Sequence, residues 1–169
     1  MKMGNKRNTT YTSLSWIQRI TFPEFQFDVL KNVNRLINSR CISLGQNKHR
    51  VLDIGCGSGD ASVQYINGID ADIVGVDWRD SRSSQYAKRF TVFEKVDIEK
   101  DGLPFEDDYF DIVITNQVFE HLKNIYTPLS EIHRILRGGG FFVLVCQTLR
   151  PCITGYCFYL VHNRPLYDQ

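Results

Sequence analysis

The stretch that decides the fold is Val51-Leu-Asp-Ile-Gly-Cys-Gly-Ser-Gly-Asp60. The segment Val51–Ile54 is mostly apolar and is typical of a buried strand. Three glycines follow at alternate positions, at 55, 57 and 59, and they permit a sharp turn and the close approach of a ligand to the backbone. A helix is expected to begin near Asp60. Strand, glycine turn and helix in this order predict a ligand-binding crevice at the edge of an α/β sheet.

Short apolar strands and helical segments alternate around this stretch. A helix is expected within residues 23–38 and another around Leu129–Leu136, because apolar residues recur there every three or four positions. The expected strands are Val51–Ile54, Ile73–Val76, Thr91–Val96, Phe110–Thr115 and Phe141–Cys146. The alternation predicts a doubly wound α/β fold, with a mostly parallel sheet covered by helices on both faces.

Composition limits the class of protein. A chain of 169 residues with 43% hydrophobic and 23% charged residues fits one globular domain. The net charge is only +1, although residues 1–50 carry nine Lys or Arg against two acidic residues. This basic arm is interpreted as a solvated terminus, since no basic run exceeds two residues. No clear nucleic-acid motif, signal peptide or transmembrane segment is present, and the cytoplasm is the predicted location.

The cysteines give no sign of a metal site or of a disulfide framework. There are five of them, an odd number, and none forms a C-x-x-C pair. The five are Cys41, Cys56, Cys146, Cys152 and Cys157. We therefore expect no metal ligands in this chain.

Spacing and charge favour a cationic ligand over a dinucleotide. A G-x-G-x-x-G fingerprint starting at Gly55 needs a small residue at position 60, where the chain has Asp60. A carboxylate there would compete with a pyrophosphate for the helix N-terminus. S-adenosylmethionine carries a sulfonium and an ammonium group, so acidic residues around the crevice attract it. A nicotinamide-dependent dehydrogenase is the weaker alternative.

The ordered motifs resemble those of class I S-adenosylmethionine-dependent methyltransferases, and among them the type 11, small-molecule branch that includes ubiquinone and menaquinone biosynthesis enzymes. The resemblance covers about residues 50–147. Its motifs are Val51–Asp60, Val74-Gly-Val-Asp77, Asp97-Ile98, Leu103-Pro-Phe-Glu-Asp-Asp-Tyr-Phe-Asp-Ile-Val113, the loop Asn116–Leu122 and the R-x-L-x-x-G-G-like segment within Leu129–Val145.

The resemblance implies a cofactor site and a catalytic candidate. The implied binding residues for S-adenosylmethionine are Asp53, Gly55, Cys56, Gly57, Gly59, Asp77, Trp78, Asp97, Ile98 and Asn116. Asp77 is expected to bond the ribose hydroxyls, while the Asp97 side chain is equally explained as a turn residue. His121 is the candidate general base, with packing beside the cofactor as its alternative role.

The loop after the fourth strand also bears on the acceptor. It reads Asn116-Gln-Val-Phe119 and has none of the prolines of the N-P-P-Y motif that base N-methylating enzymes share. The resemblance therefore implies transfer of a methyl group to an O or C atom of a small molecule. A catalytically silent cofactor-binding or interaction module is the alternative.

The chain departs from the family after its fifth strand, where the family adds a helix and two further strands, the last of them antiparallel and inserted between the fifth and sixth. Only 22 residues follow Gln147. We expect a loose N-terminal segment at 1–22, a core at 23–147 and a truncated C-terminal end or partial substrate lid at 148–169. The sheet should then lack its last two strands and expose Phe141–Cys146 as an edge open to self-association.

Overall fold

The computed structural model describes residues 17–20, 29–81, 84–147 and 156–162. Its helices are α1 Val29–Leu44, α2 Asp60–Tyr65, α3 Ser84–Ala87 and α4 Tyr126–Ile135, with a short 3-10 helix at Phe119–His121. Its strands are β1 Ile17–Ile20, β2 His49–Ile54, β3 Ala71–Asp77, β4 Val92–Lys95, β5 Phe110–Asn116, β6 Leu136–Gln147 and β7 Tyr156–His162.

The strands form one sheet in the order β1-β7-β6-β5-β2-β3-β4. The five strands from β2 to β6 pair in parallel, and β7 is antiparallel to both β6 and β1. The strand order reverses between β2 and β5, which lie side by side although β3 and β4 separate them in sequence. The doubly wound, mostly parallel α/β fold is confirmed.

The expectation that the sheet stops at Phe141–Cys146 is wrong. This segment belongs to β6, which pairs with β5 on one side and with β7 on the other, so it is not an open edge for self-association. The strand β7 comes from the region expected to form a lid, and β1 comes from the N-terminal segment expected to be loose. Backbone N–H and C=O groups of a buried strand need partners, and a short connection lets the chain return to β6 as an antiparallel strand.

Apolar side chains on the two faces of the sheet form two separate cores. Ile112 and Ile114 of β5 belong to the core beneath α1 and α2, whereas Val113 belongs to the core beneath α4. All three are fully buried. Because both faces are covered, the central strands are mostly apolar, and the parallel strands present their carboxyl ends at one edge of the sheet.

Hydrogen bonds from two side chains hold the short helix α2 in place. The Asn34 side-chain amide in α1 donates to the carbonyl oxygens of Tyr65 (2.8 Å) and Asn67 (2.9 Å), at the C-terminal end of α2. The Tyr65 hydroxyl donates to Asn116 Oδ1 at the end of β5 (2.9 Å). The glycine turn that precedes α2 is thereby fixed against the carboxyl edge of the sheet.

Candidate cofactor site

A cavity of about 390 Å³ opens at the carboxyl ends of β2, β3 and β5. It is lined by Gly55, Asp77, Trp78, Val96, Asp97, Ile98, Glu99, Gln117, Val118, His121 and Leu122. A second cavity, of about 420 Å³, lies between α1 and α2, away from the carboxyl edge of the sheet. We place the functional site in the first cavity, because it lies at the switch in strand order and contains carboxylates, a histidine and an exposed tryptophan.

The glycine turn is bonded to the end of β3. The N–H groups of Gly55 and Cys56 both donate to the Val76 carbonyl oxygen, at 2.8 and 3.1 Å. Gly55 has a φ of 70°, and a Cβ at this position would lie 2.3 Å from Val118 Cγ2. Any larger residue would therefore push Val118 out of the wall of the cavity. Gly57 also has a positive φ of 51°, but the atom nearest to a Cβ there is 4.0 Å away, so its surroundings are open.

Asp77 connects this turn to the cavity. Its Oδ2 accepts a hydrogen bond from the Gly57 N–H (2.9 Å), and its Oδ1 accepts one from the Arg79 N–H (3.1 Å). Only 8% of Asp77 is exposed, although the residue lines the cavity. Each oxygen keeps a further lone pair with which it can accept a hydrogen bond from a ligand.

Asp53 lies behind the glycine turn and is completely enclosed. It is 1% exposed, and neither carboxylate oxygen has a hydrogen-bond partner within the part of the chain that the structure describes. Burial is the main cause that raises the pKa of Asp53 to about 7; the Ser62 hydroxyl opposes this rise, and the negative charge of Asp77 adds to it. Asp53 does not itself line the cavity.

The wall opposite the glycine turn is the segment after β4. Val96 and Ile98 are buried, and both line the cavity. The Asp97 carboxylate accepts hydrogen bonds from the Glu99 N–H (3.2 Å) and from Lys100 Nζ (2.5 Å). The bond from Lys100 lowers the pKa of Asp97. These bonds favour the turn role for the Asp97 side chain, one of the two roles left open by the sequence.

Glu99 joins this wall to the loop that follows β5. Its Oε1 accepts hydrogen bonds from the N–H groups of Lys123 (2.8 Å) and Asn124 (2.9 Å). Both residues come directly after His121 and Leu122, which line the cavity. One carboxylate therefore fixes the distance between two loops on either side of the site.

The loop after β5 supplies the remaining wall. Gln117 has a φ of 54°, an uncommon backbone conformation for a residue with a side chain, and its N–H donates to the Val145 carbonyl oxygen at 2.7 Å. The His121 imidazole belongs to an exposed residue at the mouth of the cavity. Asn116, expected to contact the cofactor, does not line the cavity, and its Oδ1 accepts the hydrogen bond from Tyr65.

The sequence-predicted residues therefore fall into groups. Gly55, Asp77, Trp78, Asp97, Ile98 and His121 line the cavity. Cys56 and Asp53 are buried next to the turn, and Gly57 and Gly59 lie within it. Sequence reasoning did not single out five further lining residues, namely Val96, Glu99, Gln117, Val118 and Leu122. The available signal was that Gln117, Val118 and Leu122 belong to the motif loop Asn116–Leu122, while Val96 and Glu99 flank the motif Asp97-Ile98.

Comparison with known proteins shows the family to which the chain belongs. A family model described as a methyltransferase domain matches residues 52–144, more than half of the chain. The chain belongs to this methyltransferase family. The match covers the glycine turn, Asp77 at the end of β3, Asp97 after β4 and the loop after β5. The family uses S-adenosylmethionine as its cofactor.

Individual relatives are also methyltransferases, and this chain covers only part of their length. A sterol 24-C-methyltransferase of Aspergillus fumigatus is 31% identical over 99 residues, which are 55% of this chain and 26% of that protein. The uncharacterized methyltransferase YcgJ of Bacillus subtilis is 33% identical over 104 residues, 58% of this chain and 40% of YcgJ. The crystal structure of YcgJ matches with a TM-score of 0.55 and 27% identity, over 69% of this chain and 51% of YcgJ. The chain thus spans about a quarter of the length of the sterol methyltransferase that it matches.

The residues present fit a cationic nucleoside cofactor. The open space at Gly57 leaves room for a ligand over the backbone, where a Cβ would occupy the approach. Asp53 and Asp77 place two carboxyl groups near the turn, and a bound cation would favour the ionised form of both. Within the described residues, no group of three or more His, Cys, Asp or Glu side chains could hold a metal ion, and no helix is long and apolar enough to cross a bilayer.

Proposed function

We propose that this chain binds S-adenosylmethionine in the cavity at the carboxyl edge of the sheet and transfers its methyl group to an O or C atom of a small molecule. The observation that carries the proposal is the pairing of an open glycine turn with Asp77, which faces the cavity, and with the buried carboxyl of Asp53. The charge of Asp77 attracts a cation and repels the pyrophosphate of a dinucleotide, and a bound cation favours the ionised form of Asp53 as well.

We assign the parts of the cofactor to the walls of the cavity by chemistry. Asp77 suits the ribose, because its carboxylate can accept hydrogen bonds from two hydroxyl groups. The apolar side chains of Val96 and Ile98, with the 64% exposed ring of Trp78, suit an aromatic base. The glycine turn and the charge of Asp53 suit the amino acid part and its ammonium group.

The sulfonium of the cofactor supplies an activated methyl group, so the protein itself needs little chemical machinery. Its residues have to hold the acceptor in line with the methyl–sulfur bond and keep water out. Val118 and Leu122 place apolar surface in the cavity for the second task. Glu99 fixes the spacing between the two loops, which helps to hold the acceptor in line with the methyl–sulfur bond.

His121 is our candidate for the general base. An acceptor that carries a proton on oxygen or carbon must lose it as the methyl group arrives, and the imidazole at the mouth of the cavity can take that proton. His121→Gln should lower kcat by about 10²-fold or more, the range for a lost general base, and leave the affinity for S-adenosylmethionine unchanged. Equal turnover by the variant would assign His121 to packing.

The choice of acceptor rests on relatives and on the loop after β5. The similar sterol 24-C-methyltransferase of A. fumigatus is named for methylating a carbon atom. The Asn116–Phe119 segment lacks the prolines and the tyrosine of base N-methylating enzymes. A small molecule with a reactive O or C atom is therefore the proposed substrate class.

A labelling experiment separates turnover from binding alone. The full chain is incubated with S-adenosylmethionine labelled in its methyl group and with a small-molecule extract, and the products are analysed by chromatography and mass spectrometry. We expect labelled metabolites that disappear with Asp77→Asn. Cofactor binding without any labelled product would favour the alternative, a catalytically silent cofactor-binding or interaction module.

A further inference from the structure

The antiparallel pairing of β6 with β7 places two cysteines opposite each other. In the register of these strands, Cys146 is the direct partner of Cys157, with Val145 opposite Phe158 and Gln147 opposite Tyr156 on either side. Ten residues separate the two cysteines in the sequence, so no short cysteine motif indicates the pair. The fold creates a juxtaposition that the sequence analysis did not expect.

The spacing of such a pair matches the requirements of a disulfide. Directly opposed residues in antiparallel strands have Cα atoms about 4.5 to 5.5 Å apart, depending on whether the pair exchanges backbone hydrogen bonds. Disulfides span Cα separations of about 4.4 to 6.8 Å. At either kind of register position, the expected Cα separation therefore lies within the range that a disulfide spans.

We propose that Cys146 and Cys157 form a redox-active dithiol site, which a low-molecular-weight disulfide such as oxidised glutathione converts to a cross-strand disulfide. One thiolate attacks the glutathione disulfide and releases one reduced glutathione. The second thiolate then attacks the mixed disulfide and releases the other. Two cysteine thiols are oxidised, one glutathione disulfide is reduced, and the two thiol protons end on the glutathione products.

The bond fastens the antiparallel edge of the sheet close to the cavity. Cys146 follows Val145, whose carbonyl oxygen accepts the N–H of the cavity residue Gln117. The disulfide closes the connection between β6 and β7 and thus holds β7 in register. Cys146 is not among the residues that line the cofactor cavity, and the proposal does not depend on methyl transfer.

The other cysteines differ in their surroundings. Cys41 and Cys56 are buried in the core beneath α1 and α2, and burial raises the pKa of the Cys41 thiol to about 11. A thiol that stays protonated and enclosed reacts slowly with disulfides. Cys152 lies outside the described residues, in the connection between β6 and β7, and is the natural competitor that an experiment has to separate.

The test uses the full chain, reduced first and then incubated with oxidised glutathione, and compares it with three single variants. Intact mass should fall by about 2 Da in the wild type and in the matched control Cys152→Ser, since two hydrogens leave with each disulfide. Chymotrypsin, which can cut after Tyr156, should release a linked peptide pair containing Cys146 and Cys157. Cys146→Ser and Cys157→Ser should instead gain a glutathione adduct.

Thermal unfolding gives a second readout. Oxidised Cys152→Ser should melt about 5 °C or more above its reduced form, because closing this loop lowers the conformational entropy of the unfolded chain. The difference should vanish on addition of dithiothreitol. Equal melting temperatures, a disulfide that includes Cys152, or the absence of any mass loss in the wild type would overturn the proposal. If a serine variant fails to fold, bridging of the wild-type thiols by dibromobimane replaces it: a fluorescent Cys146–Cys157 bridge supports the site, and its absence contradicts it.

Discussion

At the scale of single residues, the buried carboxyl of Asp53 makes the free protein sensitive to pH. Its pKa is about 7 in the folded protein and 3.8 for an exposed carboxyl, so between these pH values the folded state holds a proton that the unfolded state has lost. The contribution of Asp53 to the free energy of unfolding is therefore largest below about pH 4. It falls as the pH rises and is lost once the pH has passed 7.

Denaturant unfolding of the wild type and of Asp53→Asn at several pH values checks this dependence. Relative to the variant, the wild type should lose up to about 4 kcal/mol between pH 4 and 7, since each pH unit between the two pKa values contributes about 1.4 kcal/mol. Parallel pH profiles for the two proteins would show that Asp53 titrates normally.

Gln117 carries backbone strain in the wall of the cavity. Its φ of 54° resembles that of Asp108, at 55°, which lies in a different loop and does not line the cavity. Replacing either residue by Gly should raise the free energy of unfolding slightly, by up to about 1 kcal/mol, because glycine adopts this conformation without steric cost. Only Gln117→Gly should weaken binding of S-adenosylmethionine, severalfold, in a calorimetric titration. Equal affinities of the two variants would remove Gln117 from the site.

At the scale of elements, one arginine attaches the motif loop after Asp101 to α4. Arg134 donates to the carbonyl oxygens of Leu103 (2.8 Å) and Phe105 (2.7 Å) and forms ion pairs with Glu131 and Asp107. The Glu131 carboxylate also accepts the Leu103 N–H at 3.0 Å. This network explains why an arginine and a glutamate stand three residues apart on this helix.

Arg134→Lys should lower the free energy of unfolding by about 1 to 3 kcal/mol, because an ammonium group cannot reach two carbonyl oxygens and two carboxylates in the same planar arrangement. The exposed Arg35→Lys in α1 is the matched control and should change stability by less than about 0.5 kcal/mol. Chemical denaturation of both variants decides the point. A loss as small as that of the control would mean that the network contributes little.

At the scale of the whole molecule, the N-terminal strand covers the outer edge of the sheet. β1 pairs with β7 in an antiparallel register from Ile17↔Val161 to Ile20↔Phe158. Removing residues 1–20 should leave the backbone groups of β7 open to other chains and cause self-association. Size-exclusion chromatography should show larger species for the shortened chain than for the full one. An unchanged elution volume and melting temperature would show that β1 contributes little to the edge.

The parallel part of the sheet could be predicted from the sequence because its signals are local. The run Val51–Ile54 is mostly apolar and is followed by glycines, and Phe110–Thr115 is rich in β-branched residues and buried on both faces. The antiparallel edge could not be predicted in this way. Its pairing joins Ile17–Ile20 with Tyr156–His162, two segments from opposite ends of the chain, and no local pattern specifies such a partner.

The candidate site could be predicted only in part, for a similar reason. Asp77 and the glycine turn follow from motif spacing, and both lie at the cavity. The bonds of Glu99 to Lys123 and Asn124 depend on how two loops meet, and that information appears only in the fold. The partner of Asn116 is Tyr65 of α2, a contact that no spacing rule indicates.

The central claim is that the glycine turn and its two acidic residues bind a cationic nucleoside, and calorimetric titration of the full chain with S-adenosylmethionine tests it most directly. We expect saturable binding at one site per chain, at least tenfold weaker with Asp77→Asn, and no binding of NAD under the same conditions. A folded protein, verified by circular dichroism, that gives no binding heat with S-adenosylmethionine at several temperatures would contradict the claim.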